Sequence, residues 1–492
     1  MTDINTFYDK KSIAKNLIWL ALLCVLCKTT KGIAFAVLIP IALAFVMQAR
    51  NTALLFVIFL SAAAMTINPF FMPHTMVFAV SQKVLMLMAS VFLSLQIFGR
   101  RHSGLITPLL SLVPYLVYMA VVSQSGWSPV ISNLKLVLFT MIYFAFYGCA
   151  VRVIEDRSDE RKVRAMILTL AVFYILGSFV LLLAFPGISY MSPDEILENP
   201  GAISLFMGAT NHSQALGPTM AMFSVILFAD LMFSIQKPDR LYVALLLLVP
   251  LLIYKTSSRT AMGSYVAGMA FVTFFAMRSR GIIKTRWRLA VTNFMLMAAV
   301  FGAISISVVP PLRDKATRFL VKNYSGETVV SKETILASRT AVLEGTLANW
   351  RRSPVIGNGF QVSDRMLGVK VDSIRDMLTA PVEKSTWTYA ILEEGGVIGM
   401  VLFSVFLLTA LGQMVRRQAY IGASMLFTFV MVNFGEFGMF SMSAEGGLFW
   451  CMVFVGVILD YKRYIAIRQR EEQAAFERSM HFGEPVMFGP PA

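Results

Sequence analysis

The chain has 492 residues, of which 57% are hydrophobic and 14% charged, and it carries a net charge of +15. Soluble proteins place charge on about a quarter of their residues, so a soluble enzyme or signalling domain is excluded and an integral membrane protein is predicted. The positive balance fits the cytoplasmic loops of such a protein better than a nucleic-acid surface, and no nucleic-acid partner is expected.

The N-terminal "MTDINTFYDKKSIAKN" is polar, and the apolar run after it lacks a small-residue cleavage site, so no cleaved signal peptide is expected. Apolar runs of membrane-crossing character follow at 16–27, 32–48, 52–67, 77–98, 105–122, 133–150, 165–185, 211–235, 240–254, 261–277, 289–309, 387–411, 419–434 and 446–460. The first is short, either re-entrant or fused with the second, so 12–14 transmembrane helices are expected. Cys24, Cys27, Cys149 and Cys451 all lie inside apolar runs and read as buried thiols; Cys24 and Cys27 form a CxxC with no second pair. With fourteen spans, "GRRH" (99–102), "RVIEDRSDERKVR" (152–164), "RSRGIIKTRWR" (278–288), "VRRQ" (415–418) and "DYKRYIAIRQR" (460–470) share one side with Lys10, Lys11 and Lys15. Lys and Arg concentrate in cytoplasmic loops, so that side, with both termini, is predicted to be cytoplasmic. The other side carries "SQSGWSP" (123–129), the acidic "SPDEILENPG" (192–201) and one long segment. The predicted fold is therefore an all-α polytopic integral membrane protein: a helix bundle over 1–309, an outer loop or cap over 310–386, further membrane helices over 387–460 and a tail over 461–492.

The outer loop holds twelve Lys and Arg against eight Asp and Glu. It is either a solvated surface or an attractor for an anionic ligand such as phosphate or pyrophosphate. Within it, "SKETILASRTAVLEGTLANWRRSP" reads as one amphipathic helix, with Ser331 as N-cap and Arg351, Arg352 and Pro354 at its end. Leu336, Leu343, Leu347 and Trp350 form its apolar stripe, and Arg339 falls on that face, where a cation needs either a structural carboxylate or a ligand anion. The letters "SRTA" recur at Arg259, which opens the small-residue span "TSSRTAMGSYVAGM" with Ser257 or Ser258 as cap and Lys255 nearby. Arg259 is either an interfacial anchor or a phosphate ligand.

Glu393 and Glu394 lie about two turns into the span that follows the loop, in "YAILEEGGVIGM". Intramembrane carboxylates are costly and mark either interhelical ion pairs or functional sites; adjacent positions point apart, so one of the two is expected to face a cavity. Glu383, Lys384 and Ser385 sit at the loop-to-membrane junction. "SPVIGNGF" (353–360) signals a tight turn with close backbone approach. "GATNHSQALGP" puts Asn211 and His212 at the outward start of a span, where His212 is either structural or cavity-lining. Walker, GxSxG, HExxH and Rossmann fingerprints are missing from the sequence, so energy for any reaction must arrive with the substrate or from a gradient.

Taken in order, "SSRTAMGSYVAG", "SRTAVLEGTLANWRRSPVIGNGF" and "YAILEEGGVIG" resemble the superfamily of O-antigen ligases and O-antigen or exopolysaccharide repeat-unit polymerases, chiefly over residues 205–460. The resemblance implies a class C glycosyltransferase that needs no metal or cofactor and acts at the periplasmic face of the bacterial inner membrane. Its donor would be a glycan on undecaprenyl pyrophosphate. Arg259 and Arg339 would engage that pyrophosphate. From their own positions in the chain, Lys255 and Lys384 are expected to assist them, and Asn211, Ser385 and Glu393 to line the substrate. The other expected partners are the lipid bilayer, a chain-length regulator and a flippase. Ligases of the superfamily carry a His shortly before the E-x-G-x-x-G element; here that position falls near Ser385, and no His occurs from 213 to 480. This departure favours a polymerase over a ligase and leaves Glu383, Glu394 or His212 as the base, Glu383 first. The alternatives are a ligase acting on lipid A core and a transporter of lipid-linked oligosaccharide, although the repeated halves common in transporters are not apparent.

Overall fold

In hydrocarbon every backbone amide and carbonyl must be satisfied within the protein, which leaves runs this apolar little choice but helix. A computed structural model describes residues 8–48, 50–97, 104–155, 160–190, 206–234, 240–278, 332–362, 386–435, 438–441 and 445–482, with isolated positions 293, 297, 309 and 310. Its helices are α1 (Lys10–Thr29), α2 (Leu38–Met47), α3 (Asn51–Ala64), α4 (Met76–Ile97), α5 (Val113–Ser125), α6 (Pro129–Glu155), α7 (Glu160–Ala184), α8 (Ser213–Phe233), α9 (Arg240–Lys255), α10 (Arg259–Arg278), α11 (Lys332–Arg352), α12 (Trp387–Arg416), α13 (Tyr420–Val432) and α14 (Glu445–Phe482). Among the described residues extended pairing is limited to two isolated bridges, Ile67 with Thr210 and Tyr190 with Phe206. The protein is a polytopic α-helical membrane protein: seven described helices are long and apolar enough to cross a bilayer.

The span count differs from the sequence expectation in several places, and the expected spans at 240–254 and 419–434 form helices of only 16 and 13 residues. The first span is neither short nor fused with the next. It is a full helix, with Asp9 capping it by accepting from Lys11 N at 3.1 Å. Gly32 then turns the chain at φ 87°, where a Cβ would meet Phe78 Cβ at 2.8 Å. The next two expected spans form only short apolar helices, Ile33–Met47 and Asn51–Ala64, each less than the ~20 residues a crossing requires. The expected span at 289–309 lies outside the described residues apart from isolated positions. All four cysteines are buried and form no disulfide, as their apolar setting suggested.

At the centre stands α8, which is buried from Ala215 to Phe233 and packs against α9, α10 and α13. One end of the bundle gathers the start of α8, the start of α10 and the turn after α13. The other end is held by buried charge. Arg164 on α7 donates through Nε to Asp230 Oδ2 on α8 at 2.8 Å, with both side chains almost fully buried. The same guanidinium bonds Glu160, and Tyr242 on α9 donates to Asp230 Oδ2 at 2.8 Å. Nearby on α14, Asp460 accepts from Gly422 N at 2.8 Å, and Arg463 donates to the Gln418 carbonyl. Charges this deep persist only when paired, because removing one partner strands the other away from water. Asp230→Leu is therefore expected to lower stability by about 3–5 kcal/mol. Adding Arg164→Met should recover most of that loss, as read by thermal unfolding in detergent.

Candidate functional site

Three motif segments named from the sequence meet at the end where α8 and α10 begin. The α12 helix is interrupted two turns below its start, at Gly396, whose backbone (φ 62°, ψ −163°) lies in a region open essentially only to glycine. The interruption deprives the carbonyls of Glu393 and Glu394 of their usual partners, the amides of Val397 and Ile398. The stretch "SPVIGNGF" crosses the gap and replaces all four. Asn358 N donates to Glu393 O and Gly359 N to Glu394 O, both at 3.0 Å. In return, Val397 N donates to Pro354 O at 2.9 Å and Ile398 N to Val355 O at 3.2 Å. Each buried backbone group left unpaired would cost about 1–3 kcal/mol.

Glycine makes this crossing possible. A Cβ on Gly396 would stand 2.2 Å from Val355 O, and one on Gly357 (φ 89°) 2.3 Å from Glu394 O. On the far side, Gly126 and Trp127, between α5 and α6, receive the crossing loop: Trp127 N donates to Asn358 O at 3.0 Å, and a Gly126 Cβ would stand 2.3 Å from the same oxygen. Tyr118 on α5 donates its hydroxyl between Ile356 O (2.9 Å) and Gly395 O (3.0 Å), joining loop and helix directly. Ser132 Oγ lies 3.1 Å from Phe360 O, and the buried Lys135 donates to Gln361 O at 3.3 Å.

The carboxylates sit inside this crossing. Both Glu393 and Glu394 are buried, which corrects the expectation that one of the pair faces a cavity: the loop covers the side of α12 that their stagger would otherwise open. Glu393 Oε1 accepts from Asn349 Nδ2 on α11 at 2.9 Å. Asn358 Nδ2 donates both to Asn349 O (3.1 Å) and to Glu393 O (3.0 Å). The α11 helix spans the predicted residues, but the side chain that bonds α12 is Asn349 rather than one of the leucine stripe; Leu343, Leu347 and Trp350 are only half-buried. Asparagine suits that position because α12 presents a carboxylate, which leucine cannot satisfy.

Arg259 is the first residue of α10 and is half-buried. Ser258 is the cap of the predicted pair, its Oγ accepting from Ala261 N at 3.2 Å. The start of α10 is wedged between α8 and the turn after α13: a Cβ on Gly217 would meet Ser258 and Ala261 at 2.9 Å, and one on Gly435 would overlap Thr260. That turn also holds the start of α12, since Trp387 N donates to Asn433 O at 3.0 Å. Arg259 and the upper turns of α12 thus share one end of the bundle. Lys255 is exposed at the end of α9. His212 caps α8, its Nδ1 accepting from Gln214 N at 3.1 Å, which gives that nitrogen a structural task. Asn211 ties the start of α8 to the end of α3 by donating to Met65 O at 3.0 Å. Arg339 belongs to α11, and only its backbone position is described; Glu383, Lys384 and Ser385 lie outside the described residues. The sequence reading missed Asn349, Asn358, Tyr118 and Lys135. The signal available for the first two was a pair of asparagines flanking "RRSPVIG".

Among the described residues no group of three or more His, Cys, Asp or Glu side chains is arranged to hold a metal ion. No protein-family model matches the chain and no curated protein matches it.

The glycine requirement is directly testable. Gly396→Ala and Gly357→Ala each combine a forbidden backbone angle with a backbone collision and should cost about 2–5 kcal/mol. Gly412→Ala, in the same α12 but with open space around its Cβ, should leave the unfolding temperature in detergent unchanged.

Proposed function

We propose that this protein is a glycosyltransferase that polymerises undecaprenyl-pyrophosphate-linked oligosaccharide repeat units into a surface polysaccharide at the periplasmic face of the bacterial inner membrane. The observation that supports this reading most is the interlocking of "SPVIGNGF" with the break in "YAILEEGGVIG", at the end of the bundle where "SSRTA" begins. Motifs far apart in the chain thereby contribute to one locality, as a site for a single large substrate requires.

In this reading a sugar hydroxyl of the acceptor attacks the anomeric carbon of the donor. The bond from that carbon to the diphosphate oxygen breaks, and polyprenyl diphosphate leaves with the bonding electrons. The hydroxyl proton passes to a carboxylate, Glu383 or Glu394, or to His212. Arg259 and Arg339 offset the charge that grows on the departing diphosphate, an effect that works best where water is excluded. Because the glycosyl diphosphate is itself the activated species, the reaction draws on no nucleotide.

A transporter reading has one feature in its favour, since transporters build binding sites at broken membrane helices. Here, however, the groups released at Gly396 bond the protein's own loop and are not offered to a ligand. A ligase reading predicts polymer attached to lipid A core and differs in its product.

Glycan analysis of cells tests the proposal. Arg259→Ala and Arg339→Ala should each abolish long-chain polymer while membrane levels of the protein stay normal. Arg278→Ala, at the other end of α10, should leave the ladder unchanged. Wild-type chain lengths in both of the first two variants would refute the proposal.

A further inference from the structure

A carboxylate well inside a membrane helix demands hydrogen-bond donors, and the donor chosen for Glu393 stands on another element. Asn349 lies near the end of α11, the helix that carries Arg339, and its amide reaches Glu393 Oε1 at 2.9 Å. Asn358 closes the corner by donating from one Nδ2 to the carbonyls of both Asn349 and Glu393. All three side chains are almost fully buried. Joining α11 to α12 does not in itself call for this chemistry, because Val, Leu or Ala would pack two helices without desolvating an amide and a carboxylate. A buried polar contact of this kind selects one geometry over its neighbours, since every alternative leaves a group unsatisfied.

We infer that Asn349 is a positioning residue: its clasp on the buried Glu393 carboxylate seats α11, the helix bearing Arg339, on α12 in a single register. The inference rests on the glycosyl-transfer reading above and deepens it. At the helical rise, Arg339 lies about 15 Å along α11 from Asn349. Seating α11 on α12 therefore sets both the register of the cap and the orientation of the carboxylate. A cap helix displaced by one turn would lose the Asn349 contact and carry Arg339 away with it. Glu393, expected from the sequence to line the substrate, becomes the buried carboxylate that holds the cap helix in register.

The test uses the full-length protein in proteoliposomes, with a synthetic polyprenyl-diphosphate oligosaccharide as probe. Three variants are compared with wild type: Asn349→Ala, Asn349→Asp, and the exchange N349D/E393Q, which swaps donor and acceptor. Turnover, unfolding temperature and the rate at which a hydrophobic carbodiimide labels Glu393 are measured for each. Asn349→Ala is expected to lower turnover at saturating donor at least about tenfold with KM within about twofold, and to raise the labelling rate of Glu393. Asn349→Asp should lower the unfolding temperature and turnover, and the exchange, which re-forms the clasp, should restore both. Wild-type turnover in Asn349→Ala overturns the inference. So does an exchange that recovers the unfolding temperature without turnover, which would make the carboxylate itself, and not the register of α11, the feature that matters. If the wild-type protein forms no glycosidic bond from the probe, the glycosyl-transfer reading fails and the role in transfer falls with it. Labelling still decides whether Asn349 holds the carboxylate, and an unchanged rate in Asn349→Ala overturns that as well.

Discussion

The rest of the site depends on four backbone hydrogen bonds exchanged between a loop and a broken helix. A membrane helix cannot be interrupted cheaply, because the amides and carbonyls it releases find no water in hydrocarbon. In this protein the interruption at Gly396 is stable because residues 354–359 supply two donors and two acceptors at the positions that the helix gave up. The same exchange anchors the end of α11 beside the first turns of α12. Everything proposed for the site, from the burial of Glu393 to the seating of the cap, follows from that substitution of one chain segment for another.

The two ends of the bundle solve opposite problems. At the end where α8 begins, glycines bring backbones into contact and polar side chains saturate what the close approach exposes. At the other end, buried polar side chains do the joining: Arg164, Asp230, Glu160 and Tyr242 bind three helices through one guanidinium, two carboxylates and a phenol. Ion pairs of this depth add little net stability relative to apolar packing, but they penalise any shift that separates the partners. The result is a bundle tightly specified at both ends around α8, buried from Ala215 to Phe233.

Under the proposed glycosyl-transfer reading the donor's lipid would lie in the bilayer, its diphosphate at the interface and its sugars outside. The helix that starts with Arg259 and the helix that contains Arg339 would then both have to reach the interface. Groups held in place before the reaction would lower the reorganisation required as charge develops on the leaving diphosphate.

Much of the fold was legible in the sequence. Apolar runs named the helices because hydrocarbon leaves the backbone no other arrangement, and the amphipathic stretch at 332–352 formed where its caps and periodicity placed it. The lengths of α2 and α3 were not legible, since hydropathy counts apolar residues and does not see where a turn such as that at Gly32 ends one helix and begins another. In the site, "SPVIGNGF" and "EEGG" both announced close backbone approach through their glycines, but nothing in either stretch says that each is the other's partner. That pairing links residues about forty positions apart, and it decided what hydropathy and spacing could not: both glutamates are buried, and Asn349 rather than a leucine meets α12. By itself the sequence determined that the chain is helical and membrane-embedded, because those properties follow from local composition and solvent. Which carboxylate is held, and by what, was settled only by tertiary structure, because a hydrogen bond depends on where two distant segments end up and neither segment encodes the other's position.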